Sequence, residues 1–258
     1  MKVGISTASM FLKQETEDAV QTIKNAGADC AEIFLQTFYE YRPEFAKSFK
    51  DSLGGLEICS VHVNTHHIEH SLFNNSRRVR GDAFYWLDQV MRSCQLLNCK
   101  AYTFHGRYGN GGNVTENIKR AVGFCAEYGV KLCLENVCWS TYCKPGIFSE
   151  LKKDIPDLCG VFDIKQAVRS GYPYKEYIDD MKGSISHVHL CDMDEDGKAC
   201  LLGKGKLKFK EILSRLKEAG FDGNLIIEVY PDSYSDISEL KTSLEYLKEI
   251  IYKMRNLL

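Results

Sequence analysis

The sequence lacks several features that would place it in common classes of protein. No uninterrupted apolar run is long enough to span a bilayer, which argues against a membrane protein. The 33 Lys and Arg residues are balanced by 35 Asp and Glu residues. Proteins that coat phosphate backbones usually carry a strong basic excess instead. We therefore expect neither a membrane nor a nucleic acid among its partners.

The 11 cysteines fit no common metal-binding or redox motif. No two of them stand three positions apart, as the C-x-x-C motifs of zinc ribbons and thioredoxin-like proteins require. Their number is odd, and the first residues show neither the apolar segment nor the cleavage site of a secretory signal. We interpret them as reduced thiols that behave as small hydrophobic side chains, and we expect a cytoplasmic protein.

No linker or low-complexity tract divides the chain. Its five prolines are scattered, and the hydrophobic fraction of 44% and charged fraction of 26% are those of a globular protein. We therefore predict a single domain over residues 1–258.

Short apolar runs typical of strands alternate with longer amphipathic segments typical of helices. Eight strands are predicted to start at Val3, Cys30, Glu57, Ala101, Lys131, Leu158, Ile185 and Asn224. Five of the seven steps between these starts measure 27 to 30 residues, which is room for a strand, a helix and two loops. Eight strands, each followed by room for a helix, predict a single (β/α)8 TIM barrel. A doubly wound sheet is the alternative, but no G-x-G-x-x-G turn follows the first strand.

Helix signals agree with this division. Apolar residues recur every three or four positions over 237–254 and 207–219, which predicts a terminal helix and the helix before the eighth strand. Asn113 is predicted to cap the helix after the fourth strand. Gly27 and Gly220 are predicted to end two helices in the left-handed conformation.

The ends of the predicted strands carry polar side chains that a barrel would gather at one face, where barrel enzymes place their active sites. Strands five to eight end in Glu135, Asp163, His189 and Glu228. Buried carboxylates and imidazoles are costly unless they are paired, hydrogen-bonded or bound to a metal ion. Three oxygen ligands and one nitrogen ligand suit Mn²⁺, Mg²⁺, Co²⁺ or Zn²⁺, so we predict one such ion per chain.

Three segments carry a resemblance to a known group of proteins. They are GVFD (160–163), HVHLCD (187–192), and GKG (203–205) leading through AGFDGNLIIEV (219–229). In this order they resemble the xylose isomerase-like barrel superfamily, which contains sugar isomerases, sugar epimerases, inosose dehydratases and, more distantly, endonuclease IV. The resemblance implies that the single-metal ligands of that superfamily, a Glu, an Asp, a His and a Glu, are Glu135, Asp163, His189 and Glu228.

Two departures bear on the choice within the superfamily. The three-metal site of endonuclease IV needs a His three residues after the strand-six Asp, where this chain has Gln166. It also needs an Asp-x-His pair in the loop after strand seven, where residues 198–205 read KACLLGKG. These differences remove most of the ligands for a three-metal site. Gln166 also departs from many epimerases, in which the corresponding His touches the substrate.

Six residues are candidates for substrate binding: His62, His105, Trp139, Gln166, Arg107 and Lys204. His62 and His105 are expected at the height of the pocket, against the substrate or in structural hydrogen bonds. Trp139 could form the floor of a sugar site or close the barrel mouth. Arg107 and Lys204 could hold a phosphate or carboxylate, although the G-K-G segment is equally a turn that opens a helix.

These observations predict a divalent-metal-dependent isomerase or epimerase of a small sugar or related polyol-ketone. Glu135 and Glu228 would transfer a proton through an enediolate. The alternatives are a dehydratase of the same superfamily, an endonuclease IV-like phosphodiesterase and a non-catalytic carbohydrate-binding barrel. A homo-oligomer is compatible with the sequence, but no feature of it indicates one.

Overall fold

The computed structural model describes residues 1–108 and 113–256. Eight parallel strands form a closed barrel, in which each strand pairs with the next along the chain and the last pairs with the first. The barrel strands are β1 (Val3–Ser6), β2 (Cys30–Leu35), β3 (Glu57–Val63), β4 (Ala101–Phe104), β5 (Lys131–Glu135), β6 (Cys159–Asp163), β7 (Ile185–Leu190) and β10 (Asn224–Ile227). A short antiparallel hairpin of β8 (Asp192–Met193) and β9 (Ala199–Cys200) follows β7. The predicted TIM barrel is confirmed.

Helices surround the barrel. They are α1 (Thr16–Asn25), α2 (Pro43–Lys50), α3 (Glu69–Leu72), α4 (Arg77–Leu96), α5 (Val114–Glu127), α6 (Ile147–Asp154), α7 (Ile164–Ser170), α8 (Tyr174–Asp180), α9 (Phe209–Glu218) and α10 (Ser238–Asn256). Short 3-10 turns lie at Thr7–Met10, Asp51–Leu53 and Pro231–Ser233. Within the described ranges, no helix combines the length and the apolar character needed to cross a bilayer.

The observed strands begin close to their predicted starts. Seven begin at the predicted residue, and β6 begins at Cys159 rather than Leu158. The reason is local, because the N–H of Leu158 donates to the carbonyl of Ile155 and closes a turn before the strand can form. The longer step after β3 holds α3 and α4, and the longer step after β7 holds the β8–β9 hairpin.

The predicted helix ends are also confirmed. Gly27 and Gly220 follow α1 and α9 with φ values of 82° and 83°, the left-handed conformation that glycine adopts without steric cost. Asn113 Oδ1 accepts the N–H of Glu116 at 3.1 Å at the start of α5. Each helix can therefore stop or start within a few residues of a strand.

The hydrophobic core fills the layer between the barrel and the helices. Helix α10 contributes a buried stripe of Leu240, Leu244, Leu247 and Ile251. The barrel interior, in contrast, contains buried polar side chains from several strands, among them Glu32, Ser60, His62, Thr103, Glu135, Asp163, His187 and His189. The candidate site is built from these polar side chains.

Candidate metal centre and active site

The structure brings the four predicted metal ligands together. Glu135 ends β5, Asp163 ends β6, His189 lies in β7 and Glu228 follows β10. Each offers one ligand atom, and these atoms lie within 4.8 Å of one another. His189 Nδ1 lies 3.4 Å from Glu135 Oε1, 3.4 Å from Glu228 Oε2 and 3.6 Å from Asp163 Oδ2. All four residues are buried.

The imidazole of His189 is oriented by a carboxylate beneath it. Its Nε2 donates to Glu32 Oε2 at 3.1 Å, and Glu32 is completely buried. A neutral imidazole carries one N–H, so this bond assigns the proton to Nε2 and leaves the lone pair of Nδ1 facing the three carboxylates. Nδ1 is buried and makes no hydrogen bond to any described residue. Glu32 stands inside the apolar segment of a predicted strand, so the sequence did not indicate it as a site residue.

The donor set fits a single divalent ion. Three carboxylates converge on a buried nitrogen lone pair, and such an arrangement is stable only with a cation among them. With no ion in the cluster, burial lowers the pKa of His189, but the carboxylates of Glu32 and Glu228 outweigh it and raise that pKa well above its usual value. The metal-free imidazole would then hold a second proton on Nδ1, and a bound metal ion would take the place of that proton. The cluster therefore favours positive charge at this point, and a carboxylate-rich site with one imidazole suits Mn²⁺, Mg²⁺, Co²⁺ or Zn²⁺.

Lys165 is a member of the cluster that the sequence did not reveal. The first turn of α7 carries its side chain into the site, where the ammonium group contacts both Asp163 Oδ2 and Glu228 Oε2. Only 5% of this side chain is exposed. Burial disfavours the ammonium form, but Asp163 and Glu228 outweigh it and raise the pKa of Lys165 well above its usual value. The residue stands two positions after a strand end, inside a segment that reads as an ordinary helix.

Each glutamate of the cluster also faces an imidazole with its other oxygen. Glu135 Oε2 lies 3.2 Å from His105 Nε2, and Glu228 Oε1 lies 3.8 Å from His62 Nε2. Burial lowers the pKa of His62 to about 4. Burial also opposes charge on His105, but the carboxylate of Glu69 outweighs it and raises the pKa of His105 to about 9. The two imidazoles therefore differ in charge near neutral pH.

Glu69 holds His105 from the side opposite the cluster. Its Oε2 lies 3.2 Å from His105 Nδ1 and accepts the backbone N–H of His105 at 3.0 Å, while its Oε1 accepts the hydroxyl of Tyr102 at 3.1 Å. Glu69 is completely buried. Sequence reasoning missed it because it follows β3 in a histidine-rich segment, HHIEH, where loop residues are usually solvated.

The two glutamates differ in their electrostatic surroundings. Burial raises the pKa of Glu135. Burial also acts to raise the pKa of Glu228, but the charges of Lys165 and His189 outweigh it and hold that pKa well below its usual range. Two carboxyl groups with opposed pKa shifts in one cavity form an arrangement that suits acid–base chemistry.

A cavity of about 320 Å³ opens above the cluster. Its lining includes four of the predicted substrate contacts, His62, His105, Trp139 and Gln166, together with Glu135 and Glu228. Phe11, Phe34 and Tyr230 add aromatic walls. A largely apolar cavity with a few convergent polar groups is typical of a small-molecule site.

The other two predicted substrate contacts lie elsewhere. Among the described residues, Arg107 and Lys204 do not line this cavity, and Arg107 instead borders a separate one beside His70 and Tyr108. His187, two residues before His189 in β7, lies one layer deeper in the barrel, with Nε2 at 3.3 Å from Glu32 Oε2.

The G-K-G segment forms a loop around a buried carboxylate. Gly205 has no room for a side chain, since a Cβ there would lie 2.5 Å from Asp192 Oδ1. The Asp192 carboxylate accepts, at 2.9–3.0 Å, the backbone N–H groups of Met193, Gly203, Gly205 and Leu207. This geometry supports the turn interpretation of G-K-G, because its two glycine N–H groups are already engaged within the chain.

Comparison with known proteins agrees with the site geometry. A family model described as "xylose isomerase-like TIM barrel" matches residues 20–250. The chain belongs to this family. A relative is an uncharacterized protein of Methanocaldococcus jannaschii, 26% identical over an alignment that covers 97% of this chain and 89% of the relative.

Several solved structures share the fold. A D-tagatose 3-epimerase-like protein is 23% identical, with a TM-score of 0.82 and coverage of 99% of both chains. A D-psicose 3-epimerase from Clostridium cellulolyticum H10, solved with D-tagatose, is 15% identical, with a TM-score of 0.77 and coverage of 97% of this chain and 99% of that one. A probable 3-DHS dehydratase from Bacillus anthracis is 14% identical, with a TM-score of 0.75 and coverage of 96% and 99%. The structural neighbours thus include sugar epimerases and a dehydratase.

Proposed function

We propose that this protein is a divalent-metal-dependent epimerase or isomerase of a small ketose or related polyol-ketone. One observation carries the proposal: Glu135 and Glu228 both line the cavity and both face His189 Nδ1 at 3.4 Å. The epimerase neighbours support the same substrate class.

The metal ion would be held by Glu135, Asp163, His189 and Glu228. When bound, it would supply positive charge for the substrate oxygen on which negative charge develops. Asp163 and His189 would act mainly as ligands, since neither lines the cavity.

The two glutamates would transfer the proton. One takes it from the carbon next to the carbonyl, which gives an enediolate, and the other returns a proton to that carbon or its neighbour. Return to the opposite face of the same carbon is epimerisation, and return to the neighbouring carbon is isomerisation. His105, whose Nε2 lies 3.2 Å from Glu135 Oε2, would hold the second oxygen of Glu135 in place.

The cavity supports a small, uncharged polyhydroxylated substrate. Its aromatic walls, Phe34, Trp139 and Tyr230, present flat apolar surfaces of the kind that pack against sugar rings or chains. Gln166 offers an amide for a hydroxyl group in the place where many epimerases have a His.

A dehydratase is the second candidate, favoured by the dehydratase among the structural neighbours. The same residues could remove the same proton, and loss of the hydroxyl group on the next carbon as water would then complete a dehydration. Product analysis separates the two, because dehydration changes the mass of the product by one water and epimerisation does not.

The test is a panel of ketoses incubated with the Mn²⁺-loaded protein in deuterated water. We expect turnover with incorporation of solvent deuterium at a substrate carbon. Glu135→Gln and Glu228→Gln should each lower kcat by about 10²–10⁴-fold, the usual contribution of a positioned acid or base. His66→Ala, an exposed histidine outside the cavity lining, is the control and should retain activity. Turnover that fully retains the substrate's own hydrogen would contradict the two-glutamate scheme.

A further inference from the structure

We propose that Lys165 is an internal cation that occupies the metal centre when no ion is bound, and that metal binding displaces its ammonium group into the substrate cavity. The proposal rests on the metal centre of the proposed function. It assigns a role to a residue that belongs to neither the ligand set nor the predicted substrate contacts.

The first argument is that Asp163 turns one oxygen toward His189 and the other toward the helix it caps. Its Oδ1 accepts the N–H of Gln166 at 2.9 Å and caps α7. Its Oδ2 faces His189 Nδ1 at 3.6 Å and is the oxygen that contacts the Lys165 ammonium. The Asp163 oxygen that faces His189, and that a metal ion shared by the two residues would meet, is therefore the one that Lys165 contacts.

The same conflict exists at Glu228. Its Oε1 is turned toward His62 Nε2 at 3.8 Å, whereas its Oε2 both contacts Lys165 and faces His189 Nδ1 at 3.4 Å. The ammonium group thus covers the ligand oxygens of two different strands. Each of them is the oxygen of its own carboxylate that faces Nδ1 of His189.

The chemistry of an ammonium group turns this overlap into competition. A protonated amine has no lone pair, so Lys165 cannot join the ligands of a metal ion while it remains charged. Two cations in contact with the same oxygens repel each other strongly in a buried site. Among the described ion pairs, Lys165 supplies the only ammonium or guanidinium group at these four ligands.

The displaced side chain has a place to go. Lys165 already lines the cavity beside Gln166 and Tyr230, and its Nζ lies 6.0 Å from the centre of the Tyr230 ring. A lysine side chain has a flexible four-carbon stem, and an aromatic face attracts its charge. In the metal-loaded protein, the ammonium group would then donate hydrogen bonds to an oxygen of the substrate. The metal-free protein would offer no such contact.

Calorimetric titration with Mn²⁺ alone tests the competition. The proteins compared are the wild type, Lys165→Met, and Lys198→Met, which removes a charge at an exposed position paired with Asp232 at 3.6 Å. If the ammonium group of Lys165 leaves the site free in only about a tenth of the metal-free molecules, Lys165→Met should bind Mn²⁺ about tenfold more tightly than the wild type. Lys198→Met should match the wild type. Equal affinities for the wild type and Lys165→Met would overturn the proposal.

A second measurement needs no variant at Lys165 and therefore stands even if Lys165→Met fails to fold. The wild-type protein is treated with a limiting amount of acetic anhydride, with and without Mn²⁺, and the modification of Lys165 is quantified by mass spectrometry. We expect Mn²⁺ to increase modification at Lys165 severalfold and to leave Lys198 unchanged. Equal or lower modification at Lys165 with Mn²⁺ would refute the displacement.

These outcomes separate the inference from the proposed function. Tighter Mn²⁺ binding by Lys165→Met in a protein that turns over no ketose would support the exchange and reject the proposed reaction. Ketose turnover with equal Mn²⁺ affinities would do the reverse. Absence of Mn²⁺ binding by both proteins would reject the exchange, and the metal dependence with it.

Discussion

Replacement of Glu32 by Gln should weaken metal binding although Glu32 is not a predicted ligand. The substitution keeps the size of the side chain and removes its charge. Glu32 Oε2 accepts the Nε2–H of His189 at 3.1 Å, and the same oxygen accepts the hydroxyl groups of Ser60 at 2.6 Å and Thr103 at 3.0 Å. An amide at position 32 would keep one accepting oxygen but would place its NH₂ group where Oε1 now lies, 3.1 Å from His189 Nε2.

The magnitude follows from what the carboxylate does for His189. It fixes the proton on Nε2 and increases the electron density at Nδ1, the atom that faces the predicted ligands. Loss of such an outer partner typically lowers metal affinity by 10- to 100-fold, which is about 1.4–2.7 kcal/mol. Because Glu32 is fully buried, solvent cannot replace the lost charge, and we expect a value toward the upper end of this range.

The assay is a Mn²⁺ titration of Glu32→Gln, the wild type and Glu40→Gln. Glu40 is a matched control, since it is also buried but bonds to Thr16 and the N–H of Gln36, outside the barrel interior. Circular dichroism would establish that each variant is folded. A folded Glu32→Gln protein with the Mn²⁺ affinity of the wild type would refute the idea that Glu32 sets the binding form of His189.

Three further outcomes are expected. Asp192→Ala should lower the free energy of unfolding by about 3–5 kcal/mol, because it leaves four backbone N–H groups of one loop without their charged acceptor. Urea denaturation measures this change, and a loss below 1 kcal/mol would contradict the account. Removal of metal by a chelator should lower the Tm, and Mn²⁺ at about 100 times its Kd should restore about 2.7 kcal/mol, whereas Asp163→Ala should show no Mn²⁺-dependent gain. Metal-loaded protein should not nick duplex DNA with an abasic site, since Gln166 is a poor substitute for a histidine ligand and the net charge is −2. Efficient nicking that Glu135→Gln abolishes would restore the nuclease alternative.

The fold could be predicted from the sequence because its signals are local and repeated. Strands buried on both faces read as short apolar runs, and their spacing leaves room for one helix each, so an eightfold repeat indicates a barrel. The glycines at 27 and 220 and the cap at Asn113 are likewise decided by neighbouring residues. Only the start of β6 shifted, by one residue, where a turn competes for the N–H of Leu158.

The candidate site could be predicted only where the topology alone gathers residues. Glu135, Asp163 and Glu228 stand at strand ends, and the ends of parallel strands meet at one face. Lys165 and Glu69 reach the cluster from a helix and from the segment after β3, and their positions depend on how those segments pack. No residue type or spacing in the sequence marks either of them as buried.

The loop around Asp192 has a consequence for the substrate of the proposed reaction. In barrels that act on phosphate esters, free backbone N–H groups beyond the last strands commonly bind the phosphate. Here the amides of Gly203 and Gly205, in the loop after β7, already bind a carboxylate of the chain itself. A phosphate placed there would meet an anion and find no vacant amide at either glycine. This loop therefore offers no free amide for a phosphate at either glycine, and under the proposed function we expect a free sugar to be preferred to its phosphorylated counterpart.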